Sequence, residues 1–138
     1  MRPPGKLPTP GDIVWCLFPE LPELKPGPKP RPALVFGVIE KSDGAIVRVV
    51  YGTSKQLNNL RTGEVAICQL LSPEGYRTAG LSYDTKFNMK TIVDLPWTER
   101  FFRTAPGTPY GSSPKIGTLH ASLVRTFALA YEATKTNN

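Results

Sequence analysis

Ten of the 15 prolines in this chain fall within its first 32 residues. A proline inside a helix removes a hydrogen bond and collides with the preceding turn. That stretch is therefore closed to helix and favours extended, polyproline-like backbone. One apolar segment interrupts it, DIVWCLF at 12–18, dense in β-formers, and predicts a first strand. Pro19–Pro30 (PELPELKPGPKP) follows as a long, stiff loop. The chain before it is too short for a separate domain, so it reads as a loop overhanging something rather than a linker.

Beyond the loop, strand follows strand. Pro32–Ile39 (PALVFGVI) is a near-continuous apolar run, the pattern of a buried strand. An Asp-Gly turn in KSDG (41–44) joins it to a hairpin partner, Ala45–Tyr51. Residues 52–63 are polar and read as loop, 64–70 (EVAICQL) as a fourth strand and 72–84 as loop again. Asn88–Leu95 is a fifth strand stopped by Pro96, Phe101–Arg103 is a candidate extension of the sheet, and 104–114 (TAPGTPYGSSP) is turn-rich. Only the C-terminus has helical periodicity: Leu119, Leu123, Phe127, Ala130 and Tyr131 share one face of a helix over about 119–134, with Thr118 as N-cap and 136–138 fraying. The expected fold is mainly β: a small, SH3-like, partly open barrel of strongly bent antiparallel strands with a C-terminal α-helix. It forms one domain over 11–135, after a flexible segment at 1–10.

Composition narrows the function classes. No apolar run approaches the ~20 residues a membrane helix needs, and MRPPGKLPTPGD lacks the apolar core of a secretory signal. Cys16 and Cys68 sit in apolar segments and read as buried thiols. With one histidine and no close pair of cysteines, there is no metal-ligand spacing. Lys and Arg outnumber Asp and Glu by 17 to 11, a net charge of +6, which suits a polyanionic partner. Phosphate-loop, dinucleotide and nucleophile-elbow motifs are absent, and His120, opening the helix, is a poor basis for a catalytic relay.

The remaining candidates stand at strand ends. Arg31 is clamped between Pro30 and Pro32, so a guanidinium whose donors match phosphate oxygens is aimed by a stiff mount. Thr53, Ser54 and Lys55 follow Gly52 at the end of the third strand, a plausible phosphate cradle or a simple turn. Asp94 ends the fifth strand as a general base or a turn partner. Lys29, Lys55 and Lys86 are candidate RNA contacts by their charge.

GDIVW at 11–15, then RPALVFGV at 31–38, then VRVVYGTSK at 47–55, resemble in their order the PemK/MazF family of toxin endoribonucleases. The stretches 80–97 and 116–130 are similar to the family's later strands and terminal helix, so the resemblance runs from about Gly11 to Ala133. It implies a cytoplasmic, homodimeric toxin of a type II toxin–antitoxin module that cleaves single-stranded RNA and needs neither metal nor other cofactor. Its implied partners are a cognate antitoxin protein and, only together with that antitoxin, operator DNA. It assigns catalysis to Arg31 and Thr53, with Ser54 and Asp94 as further catalytic positions. The reaction is attack of a 2′-hydroxyl on the adjacent phosphate, leaving a 2′,3′-cyclic phosphate and a 5′-hydroxyl. The chain departs from the family in its Pro-rich loop, usually Gly-rich, and in the tract 104–114. Two other readings stand beside this one: a non-catalytic barrel that binds nucleic acid or a protein, and Lys25–Arg31 as a proline-rich ligand for another domain.

Overall fold

The computed structural model describes residues 2–136. Six strands form one antiparallel sheet: β1 (Asp12–Cys16), β2 (Arg31–Lys41), β3 (Gly44–Thr53), β4 (Glu64–Ile67), β5 (Thr85–Pro96) and β6 (Lys115–Thr118), in the order β4-β5-β3-β2-β1-β6. Two helices complete the fold, α1 (Pro73–Thr78) and α2 (Ala121–Thr136). Strands β4 and β6 are the edges, so the sheet is not closed. Register shifts between Val35 and Gly37 and between Val50 and Tyr51 bend the central strands. The expected mainly-β, partly open architecture with a C-terminal helix is what forms.

The apolar runs are long because both faces of the sheet are covered. Side chains alternate across a strand, and neighbours here enter different cores. Ile13, Leu34 and Val50 join a cluster with Phe87, Met89 and Phe127. Val14, Val35 and Val49 join one with Leu95, Trp97 and Phe102 on the opposite face. Helix α2 covers the first face through the periodic residues: Phe127 is buried, and Leu119, Leu123, Ala130 and Tyr131 pack around it. No helix among the described residues is long and apolar enough to cross a membrane.

Several local expectations change. Residues 72–84 contain α1, started by Pro73 at its first turn with Glu74 following, a combination that suits a helix N-terminus. The fourth strand stops at Ile67. Residues 68–71 turn away, with the Ser72 amide bonded to the Cys68 carbonyl at 2.8 Å, and Leu70 and Leu71 are left exposed. Phe101–Arg103 adds only a single bridge, Phe102 to Cys16. The helix start is capped by His120, not Thr118: the Ser122 amide donates to His120 Nδ1 at 3.1 Å, while Thr118 pairs with Asp12 in the sheet. The segment before β1 is tied to the residues just after β5, with the Glu99 amide donating to the Arg2 carbonyl and Trp97 Nε1 to the Gly5 carbonyl. Met1, part of the segment expected to be flexible, and Asn137–Asn138, expected to fray, lie outside the described residues.

Candidate functional site

The ends of β2 and β3 meet at one mouth of the sheet. The ladder between them ends at the pair Ala33 and Tyr51, and Arg31 and Thr53 each stand two residues beyond that pair on their strands. Gly52 makes this approach possible. A Cβ there would stand 2.5 Å from the Pro32 carbonyl oxygen and 2.9 Å from the Phe87 ring, so any side chain would force the strands apart. Thr53 is buried, and its Oγ1 accepts the Lys55 amide at 3.2 Å, closing a tight turn that carries Ser54 and Lys55 outward.

Arg31, Thr53 and Ser54 line the same cavity, of about 400 Å³, together with Lys29 from the end of the Pro-rich loop. That is within the range of small-ligand sites. Tyr83 and the loop residues Pro106 and Thr108 line it as well. Among the described residues no carboxylate lines the cavity, and neither Lys29 nor Arg31 forms a salt bridge. Unpaired cations beside clustered hydroxyls, without a competing acid, favour an anion that also offers hydrogen-bonding groups. The Pro-rich loop is fastened beside this mouth: the Gly27 amide donates to the Leu17 carbonyl at 3.1 Å, and a Cβ on Gly27 would lie 2.2 Å from the Phe18 oxygen.

The other sequence candidates lie elsewhere. Lys86 is a neighbour of Thr53 across the ladder, but its side chain turns inward. Its ammonium lies 3.0 Å from Glu64 Oε1 and 3.3 Å from the Asn59 carbonyl, and both charged side chains are buried. Burial pushes the Glu64 carboxyl up, but the Arg61 amide and the Lys86 charge outweigh it and hold the group below its usual range. Lys86 thus ties down the loop that follows Ser54, a role visible only once β4 lies against β5. Asp94 is eight residues along β5 from Lys86, opposite Arg48. It forms a two-pronged pair there, at 2.8 and 3.1 Å, which holds its carboxyl below the ordinary range. It borders a different, open hollow beside Phe36 and Tyr131. Lys55 is exposed and is not part of the cavity wall.

Sequence reasoning missed Tyr83 and Thr108. The signal for the first was an aromatic in a polar turn, which is uncommon without a partner. The second lay in the turn-rich tract 104–114. Cys16 is fully buried and burial pushes its thiol up; Cys68 is half-buried, pushed up by burial and then by Asp84. Among the described residues no three histidine, cysteine, aspartate or glutamate side chains gather as metal ligands would. No protein-family model matches the chain, and no curated protein matches its sequence.

Proposed function

We propose that this chain is an endoribonuclease that cuts single-stranded RNA without a metal, the toxin of a type II toxin–antitoxin module. One observation carries the reading: the proline-clamped Arg31 and the hydroxyls of Thr53 and Ser54 line one cavity that contains no carboxylate. The 2′-oxygen of the nucleotide attacks the adjacent phosphorus, and the bond to the 5′-oxygen breaks. A 2′,3′-cyclic phosphate forms, the 2′ proton passes to water, and the departing 5′-oxygen takes one from water. Negative charge grows on the non-bridging oxygens during this step. Arg31, presented by a backbone stiffened on both sides by proline, neutralises that charge; the Ser54 hydroxyl donates to it. Lys29 holds a neighbouring phosphate of the strand. Thr53 is buried and receives the Lys55 amide, so its part is to fix the turn as well as to present its hydroxyl. A homodimer, an antitoxin partner, operator DNA bound only with that antitoxin, and a cytoplasmic setting go with this reading.

The test uses purified protein and a panel of single-stranded RNAs in EDTA. Wild-type protein cuts and leaves cyclic phosphate ends. Arg31→Ala abolishes cutting while circular dichroism and the melting transition stay those of wild type. Wild-type protein that leaves diverse RNAs uncut, with or without divalent metal, sinks the enzyme. RNA held but never cut would establish instead a non-catalytic barrel that binds nucleic acid.

A further inference from the structure

The tract 104–114 is built as a wall rather than left as a loose insertion. Both its ends are tied to one residue: the Arg103 amide donates to the Trp15 carbonyl at 3.1 Å, and the Trp15 amide donates to the Pro114 carbonyl at 2.8 Å. Within the tract the Thr104 hydroxyl donates to the Ser112 carbonyl, and the Ser113 amide to the Tyr110 carbonyl. The tract then contributes Ala105, Pro106 and Thr108 to the cavity that holds Arg31. Thr108 Oγ1 is the one buried side-chain polar atom without a hydrogen-bond partner among the described residues. The oxygen is shut off from solvent in this conformation, and leaving it unpaired there is costly, which favours a turn of the side chain toward the cavity where an outside partner can reach it.

An aromatic group lines the same cavity. Tyr83 is 74% exposed although it lines the cavity. Its backbone is fixed, since the buried Thr85 hydroxyl donates to the Tyr83 carbonyl at 2.8 Å and the next residue, Asp84, accepts the Gln69 amide at 2.8 Å. Trp15, half-buried, lines the same space. An exposed ring on an anchored backbone, lining one cavity with an unpaired hydroxyl and two unpaired cations, matches the way proteins take an unstacked base: stacking on its face and hydrogen bonding at its edge.

We propose that the 104–114 wall, with Tyr83, forms a subsite for one nucleobase next to the phosphate at Arg31, and that the Thr108 hydroxyl reads the edge of that base. The subsite rests on the RNA reading above. Its consequence is a base preference at a single position flanking the cut.

The experiment scores cleavage of single-stranded RNAs carrying each of the four bases at every position near the cut. Wild-type protein favours particular bases at one flanking position. Thr108→Val, which removes the hydroxyl and keeps the shape, lowers that preference about tenfold there and nowhere else; Thr108→Ser restores it. Tyr83→Leu weakens cleavage about tenfold for all four bases at that position, because stacking tolerates any base. A folded Thr108→Val protein with an unchanged profile, or with equal losses at every position, overturns the subsite while the nuclease stands. The four nucleoside 3′-monophosphates, titrated by calorimetry, separate the claims the other way. Binding that weakens in Thr108→Val, from a wild-type protein that cuts nothing, keeps the subsite and removes the nuclease. Neither cutting nor binding overturns both.

Discussion

Lys86→Met removes one partner of a buried ion pair while keeping most of the side chain's volume. The two charged groups are 3.0 Å apart with side chains only 6% and 9% exposed, and the same ammonium reaches the Asn59 carbonyl at 3.3 Å. Taking away the lysine leaves a carboxylate in a dry place with only the Arg61 amide, 2.8 Å away, to satisfy it. Breaking such a pair costs about 3–5 kcal/mol, which for a chain of this size lowers the melting midpoint by on the order of 10 °C. Urea unfolding, followed by the fluorescence of Trp15 and the buried Trp97 at fixed protein concentration, measures it. The double variant Lys86→Met/Glu64→Leu regains part of the loss, since it no longer buries an uncompensated charge. It does not regain all, because the Arg61 amide and Asn59 carbonyl lose their partners too. The pH dependence has a definite sign. Glu64 is held below its ordinary value in the fold, so its stabilisation is complete above the carboxyl's unfolded value, near 4.3, and is lost as pH falls through the folded one. The gap between wild type and Lys86→Met is therefore widest near neutrality and closes in acid. A loss under about 1 kcal/mol, or a gap that does not change with pH, would refute the assignment of Lys86 as a buried strut.

Gly52→Ala pushes a methyl group into the Pro32 carbonyl oxygen and the Phe87 ring, contacts of 2.5 and 2.9 Å that backbone and core must yield to. It lowers stability by about 2 kcal/mol or more, read as the thermal midpoint, and reduces RNA cutting with it, because the same shift separates Arg31 from Thr53. Asp94→Asn breaks the half-exposed pair with Arg48, 2.8 Å at its nearer contact, well away from the cavity. Water and salt screen such a pair, so the melting midpoint moves far less than in Lys86→Met and the rate of RNA cleavage equals that of wild type. A slowed rate would return Asp94 to the catalytic group.

The two central strands and the terminal helix could be read directly because each is specified by a local period. The 32–39 and 45–51 runs are apolar at nearly every position, and the division of Leu34 from Val35 and of Val50 from Val49 between two cores explains why neither run alternates. The face of α2 followed from the spacing of Leu119, Leu123, Phe127 and Tyr131 alone. The proline clamp on Arg31 was equally plain, since proline restricts its own backbone and that of the residue before it whatever the rest of the chain does. Strand β6 was not legible: four residues after Pro114 carry no period of their own and become a strand only by lying along β1. Helix α1 had local signals in Ser72, Pro73 and Glu74, but six residues are too few to outweigh the glycines around them.

The fates of the charged residues lay outside the sequence altogether. Lys86 and Lys29 are alike on paper; one is sealed against Glu64, 22 positions away, and the other is left open at the cavity. Asp94 is claimed by Arg48, 46 positions away. Local chemistry decided which segments are strands, where the helix lies and how rigidly Arg31 is mounted, because those depend on neighbours along the chain. Which side chains converge on one cavity, and which are spent holding it together, was decided by strand register, because that alone brings distant residues within reach of one another.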